Sequence, residues 1–305
     1  MGSKLGVLVP ITIVSDMLIS STITETDYAQ YNPATTYALG NRCVSTATHK
    51  IYESLQSGNL NHDPTNIANR LVPTLYWQEV GPTNRWMMFD GNVSSASTHA
   101  TAITVVVRPG HFNGFYLGGI SADTLSVTIR STPGGAVIYS YTASLEGSAP
   151  ADYYEHFYNT FNPQKDFIAS GLEAWATAEL TLSLTGANIT CGILSFGDLR
   201  ELGLTQRAAK AKPKTYSYIK IDDFGNNTIV RRKSAVDMSA SSVLDLSEAN
   251  NVIEVIRSLL DVPCVWIGSD LPEYGGLRVY GLGSGEISYD HPQDCMLSLN
   301  VQGLI

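Results

Sequence analysis

A mainly β protein is predicted from three observations. Short apolar/polar alternations recur along the chain, each closed by glycine, proline or asparagine turn signals. A single stretch, residues 247–261, carries apolar residues at convincing helical spacing. Only 15% of the 305 residues are charged, below the usual ~25%, and no long aromatic-poor charged run is present. The length calls for two or three folding units.

Residues 1–27 read as an extended N-terminal arm. Val7-Leu8-Val9-Pro10-Ile11-Thr12-Ile13-Val14 is β-branched and interrupted by a proline, which suits an edge strand or an arm gripping a neighbouring subunit. The alternative is the first strand of the chain's own sandwich. Pro10 and the lack of a small-residue cleavage site argue against a signal peptide.

Residues 28–85 form a small unit of their own, closed by the breaker Gly81-Pro82-Thr83-Asn84. Cys43-Val44-Ser45 and Lys50-Ile51-Tyr52-Glu53-Ser54 alternate on either side of a polar turn, the pattern of an antiparallel hairpin. Tyr31, Tyr37, Tyr52, Tyr76 and Trp77 are many aromatics for so few residues. They must make its core or line its face.

This stretch resembles the small chitin-binding type of carbohydrate-binding module. Tyr37-Ala38-Leu39-Gly40-Asn41-Arg42-Cys43-Val44 sits on the family's Tyr-x-x-Gly-Asp-x-Val motif. Tyr52 falls on the tyrosine of its next strand and Trp77 on its closing tryptophan. Tyr31 stands where the family has tryptophan, and Asn41 where it has aspartate. The resemblance implies a glycan site at Tyr31, Tyr37, Tyr52 and Trp77. Sugars stack on flat exposed rings, so such a site needs these aromatics to face solvent. The other reading makes Tyr37, Tyr52 and Trp77 the core of the unit.

Residues 86–199 predict an antiparallel β-sandwich. Ala102–Val107, Leu125–Arg130, Ala136–Tyr141 and Ala178–Leu184 alternate cleanly, with Pro133-Gly134-Gly135 and Gly186-Ala187-Asn188 as turns. The gap from Tyr153 to Ala176 lacks alternation and reads as a long loop with a helical turn. Residues 200–215, with Gly203 and the run Arg207-Ala208-Ala209-Lys210-Ala211-Lys212-Pro213-Lys214, read as a solvated linker. Residues 216–305 predict an α+β unit with one helix laid on a sheet. Its first hairpin pairs Tyr216–Ile221 with Thr228–Arg232 around the turn Asp222–Asn227. Ser247 caps the helix, Val252, Ile253, Val255, Ile256, Leu259 and Leu260 give it an apolar stripe, and Pro263 ends it.

A net charge of −9 disfavours nucleic acid, which needs clustered Lys and Arg. The four cysteines, Cys43, Cys191, Cys264 and Cys295, have neither zinc spacing nor a disulfide framework, and read as small buried hydrophobes suited to a reducing cytoplasm. No apolar run approaches the ~18–20 residues of a membrane helix. Phosphate-loop, zinc-protease and nucleophile-elbow motifs are missing. Asp222-Asp223, before Phe224-Gly225-Asn226, reads as turn chemistry rather than as an acid/base pair. No enzyme, catalytic residue, metal or cofactor is predicted.

The order of parts carries a second resemblance. It rests on the Val-Pro-Ile-Thr-Ile segment at 9–13, the 37–44 insert, the string from Asp222 to Arg232, Pro263–Gly268 and the closing Leu297–Leu304. Together they resemble the tail-tip or baseplate structural proteins of tailed bacteriophages. That resemblance implies a virion protein, assembled in the host cytoplasm, that multiplies by symmetry into a ring or collar. Its partners would be copies of itself and neighbouring tail-tube, tail-tip or fibre proteins. Host surface glycan, bound through residues 28–85, is the alternative partner.

Overall fold

The computed structural model describes residues 3–147, 152–158, 163–289 and 293–304. In chain order the strands are β1 (Lys4–Ile11), β2 (Leu18–Ser21), β3 (Arg42–Ser45), β4 (Lys50–Ser54), β5 (Trp77–Pro82), β6 (Ser97–His99), β7 (Ala102–Val107), β8 (Gly114–Gly118), β9 (Thr124–Arg130) and β10 (Val137–Ser144). They continue as β11 (Asp166–Ser170), β12 (Glu179–Thr185), β13 (Ile189–Cys191), β14 (Ile193–Thr205), β15 (Lys210–Thr215), β16 (Tyr218–Ile221), β17 (Asn227–Val230), β18 (Ser234–Asp245), β19 (Cys264–Ile267), β20 (Arg278–Ser288) and β21 (Asp294–Gly303). Among the described residues two α-helices accompany them, α1 (Tyr153–Tyr158) and α2 (Ala249–Ser258). The protein is mainly β, as the sequence predicts.

A nine-stranded sheet in the order β11-β8-β14-β1-β19-β20-β21-β18-β15 organises the molecule. Over its β11-β8-β14 end lies a five-stranded sheet, β10-β9-β12-β7-β2. Alternation explains this pairing. Ile103, Val105 and Val107 of β7, Leu125, Val127 and Ile129 of β9, and Leu180, Leu182 and Leu184 of β12 point to one side. They meet Phe115 and Leu117 of β8, Phe167 of β11, and Leu194 and Phe196 of β14 in one core. A sandwich therefore occupies the stretch expected to form one, but it also takes β2 from the N-terminal segment as its edge strand, and β11 is an extra strand inside the stretch read as a loop.

The rest of the large sheet closes on itself. Beyond its bonds to β1, the end of β14 pairs with β18 through Leu204↔Val243 and Thr205↔Ser242. The run β14-β1-β19-β20-β21-β18 is therefore a closed six-stranded barrel. Gly203 permits the switch of partner. Its φ is +94°, and a Cβ there would lie 2.4 Å from the Val243 carbonyl oxygen. The second core contains Leu5, Val7, Leu202, Trp266, Leu297, Leu299 and Val301, joined by Val252 and Ile256 of α2. The C-terminal unit thus has its one helix packed on a sheet, as expected, and β1 and β14 from earlier in the chain close that sheet into a barrel.

Two of the expected boundaries are overturned. The described part of the expected 1–27 arm, residues 3–27, is not free. β1 pairs antiparallel with β14 from Lys4 to Ile11 and with β19 from Gly6 to Leu8. Leu5, Val7 and Leu8 are fully buried. Pro10 is tolerated because it lies past the stretch that is paired on both sides. Residues 200–215 do not form a linker, because β14 runs through to Thr205 and β15 is the edge strand beside β18. The lysines and Pro213 that suggested a solvated connection are edge-strand devices that discourage further pairing.

Candidate functional site: an open hairpin and a closed aromatic unit

Two small β units contrast at the surface. The first is the three-stranded sheet β3-β4-β5, in the stretch carrying the four aromatics implied as a glycan site. Trp77 and Tyr52 are 1% exposed and Tyr37 is 7% exposed. With Cys43 they form the unit's own core, against which Tyr31 and Tyr76 pack half-buried. Tyr37 meets Trp77 edge to face at 5.0 Å between centroids, and Tyr31 stacks on Tyr37 at 5.9 Å. The polar ends are also engaged. Trp77 Nε1 donates to the His62 carbonyl at 2.7 Å, and the Tyr37 hydroxyl accepts from the Asn32 amide at 2.9 Å. Burial raises the Tyr31 and Tyr37 hydroxyls above their ordinary value and pushes the Cys43 thiol up to about 12. Three of the four implied sugar-stacking rings therefore offer no face to a ligand. They hold the unit together, and Tyr31 alone keeps a partly open ring.

The second unit is the hairpin β16-β17, a two-stranded sheet of its own. The turn reading of Asp222 fits its contacts. Asp222 Oδ1 accepts from the amides of Phe224 and Asn226, and Oδ2 from the Asn226 side chain. The hydrogen bonds from Asn226 hold its carboxyl below the usual aspartate range. Ile219 lies directly opposite Ile229, and Ile221 follows two residues on, so the three share one face. They are 62%, 63% and 65% exposed for Ile219, Ile229 and Ile221, and Phe224 at the tip is 91% exposed. On the other face the Arg232 guanidinium lies 5.0 Å from the Tyr218 ring centroid.

Charge separates along the chain in the same region. Residues 207–233 hold eight Lys and Arg against two Asp, a net +6, which leaves the remainder of the chain at −15 within the total of −9. Sequence reading locates this hairpin and the basic run before it. It misses that the apolar face is left uncovered. The usable signal was the adjacency of Ile219, Ile221 and Ile229 to basic residues on either side.

No family model matches the chain, and no curated protein matches it. Two solved structures show remote likeness. One is a point mutant of chitosan-binding module 1 from a chitosanase/glucanase of Paenibacillus sp. IK-5, at 11% identity, TM-score 0.25, covering 37% of this chain and 82% of that one. The other is reduced XRCC1 bound to the DNA pol beta catalytic domain, at 13% identity, TM-score 0.23, covering 54% and 97%. Likeness at this level carries no functional argument. Among the described residues no helix is long and apolar enough to cross a membrane.

Proposed function

We propose that the protein is a structural subunit that joins further copies of itself through the β16-β17 hairpin. It is the ring- or collar-forming role implied by the resemblance to phage tail-tip and baseplate proteins, with tail-tube, tip or fibre proteins as the further neighbours. The observation that carries this reading is the uncovered face of Ile219, Ile221 and Ile229 beside the exposed Phe224. A lone two-stranded hairpin is marginal in water, and unpartnered apolar faces of this kind mark interaction sites. The occupant follows from charge. A segment of net +6 is complementary to a body of net −15, and a second copy supplies that body. Positive hairpin on negative body is a head-to-tail contact, which gives rings where the rotation closes.

The test is the oligomeric state of the full chain, by light scattering after gel filtration, against a variant whose residues 218–230 are replaced by a short Gly/Ser connection. The intact chain is expected to form closed oligomers, and the variant to be a folded monomer. Oligomers that survive the replacement would end the proposal.

A further inference from the structure

The sequence predicts no catalysis, yet the fold brings together a serine, a histidine and a glutamate from three separate segments. Ser15 opens the short helical turn after β1, Glu25 lies beyond β2, and His49 sits in the turn between β3 and β4. Ser15 Oγ is 2.8 Å from His49 Nε2. His49 Nδ1 is 2.9 and 3.1 Å from the two carboxylate oxygens of Glu25. The carboxylate only accepts, so in the neutral form of the imidazole the ring proton sits on Nδ1. That leaves the Nε2 lone pair facing the Ser15 hydroxyl, which donates to it.

The support behind these three groups is built. Thr83 is fully buried; its Oγ1 donates to Glu25 Oε1 at 2.7 Å and its amide donates to the His49 carbonyl at 2.9 Å. One residue therefore holds both acid and base. The Glu25 side chain is 8% exposed and the His49 ring 22%, while Ser15 is open to solvent. The imidazole stacks on the buried Trp86 ring at 4.3 Å and 25°. His49 also has φ of +57°, a conformation that costs energy in a non-glycine residue and persists where surroundings enforce it. A nucleophile within reach of a base, which a third group orients, is the arrangement of acyl-transfer sites.

We propose that Ser15, His49 and Glu25 hydrolyse carboxylic esters. Ser15 Oγ bonds to the ester carbonyl carbon as its proton passes to His49 Nε2. The tetrahedral adduct then expels the alkoxide, which takes that proton and leaves as an alcohol, with the acyl group on Ser15. Water attacks the acyl-serine, gives a proton to Nε2, and releases the carboxylic acid as that proton returns to Ser15 Oγ. Ser15 and His49 are the catalytic residues, and Glu25 and Thr83 position them. The open side of Ser15 admits an ester whose alcohol belongs to a larger molecule, because the leaving portion can remain in solvent. This activity is independent of self-assembly.

The experiment uses the full chain with a fluorophosphonate probe, followed by intact mass and peptide mapping, and with p-nitrophenyl acetate as the ester. The probe's phosphorus bonds to Ser15 Oγ and fluoride leaves as HF. An adduct on Ser15 is expected, absent in Ser15→Ala and slowed at least about 100-fold in His49→Asn, a residue that tolerates positive φ. Glu25→Gln is expected to displace the pH profile of labelling, which a merely structural role leaves in place. Ser15 is exposed, so Ser15→Ala keeps the native melting temperature and decides the matter even where another variant unfolds. No adduct on the wild-type chain, an adduct that persists in Ser15→Ala, or ester turnover equal in wild type and Ser15→Ala overturns the proposal.

Discussion

The β3-β4-β5 unit and the β16-β17 hairpin are both small pieces of sheet, and they treat their apolar residues in opposite ways. In the first, Tyr37, Cys43, Tyr52 and Trp77 close over one another with Tyr31 and Tyr76 at the rim. In the second, Ile219, Ile221, Ile229 and Phe224 face outward. Three strands and large aromatics suffice to bury a core; two strands with isoleucines on one face do not. A small β unit is either its own partner or needs one. That difference, rather than the abundance of aromatics, separates a structural unit from a candidate interface.

The largest effect that can test this contrast comes from two deletions. β1 is 8 residues long and lines both the barrel core and the opposite face of the sheet, through Leu5 and Val7 on one side and Leu8 on the other. Deleting residues 3–11 is expected to abolish cooperative melting of the whole chain, followed by circular dichroism. Deleting the hairpin, a comparable length of strand, is expected to leave the melt intact. A folded, cooperatively melting protein without residues 3–11 would return β1 to the status of an arm.

Within the closed unit, Trp77→Ala removes a fully buried indole and its bond to the His62 carbonyl. The expected cost is about 3–5 kcal/mol, the range for a buried tryptophan truncated to alanine. Hydrogen exchange should show lost protection in β3 and β4 while the barrel strands stay protected. Equal loss everywhere would mean that the unit has no stability of its own.

Much of the fold was legible because period-2 alternation survives wherever one face of a strand is buried. β7, β9 and β12 were readable for that reason, as was α2 from its stripe. What failed was long-range. β1 and the lysine-rich β15 look alike as solvated or detachable segments, and only their place in the sheet order, centre against edge, tells them apart. The closure of β14 onto β18 depends on one positive-φ glycine, which a local reading takes for a linker residue. The aromatic unit was placed from its turn and strand pattern, but exposure is a property of the tertiary fold, and it moved three of the four implied sugar contacts into the core. The Ser15–His49–Glu25 cluster had no local signal, since its members come from different segments and meet only after folding.

A smaller effect follows from the thiols. Burial pushes Cys43, Cys191 and Cys264 up to about 12, whereas an unfolded thiol ionises near pH ~8.5. The folded state therefore keeps the proton that the unfolded state loses. Its stabilisation is complete below about pH 8.5 and is lost as pH rises through 12. At a pH of about 8, just below that unfolded value, none of the three is expected to react with a thiol reagent in the native chain. In Trp77→Ala, Cys43 should react first, while Cys191 in the sandwich and Cys264 in the barrel remain protected. Simultaneous reaction of all three would show that the aromatic unit and the body open together.

The smallest effect on the subunit itself is expected at the hairpin tip. Phe224 is 91% exposed, so truncating it removes almost no intramolecular contact. Phe224→Ala should change the monomer's unfolding free energy by no more than about 0.5 kcal/mol, measured by denaturant titration under conditions that keep the chain monomeric. Association is a different matter, because an aromatic at the tip of an uncovered face fits the anchor positions that dominate protein interfaces. The same variant should weaken self-association strongly, and high salt should weaken it in the unaltered chain, since screening at about 1 M reaches down to about 3 Å. A Phe224→Ala protein that assembles as tightly as the original, with no response to salt, would place the subunit contacts away from the hairpin. A variant that instead loses monomer stability would show that the hairpin folds back onto its own chain, and the two small units would then differ in degree rather than in kind.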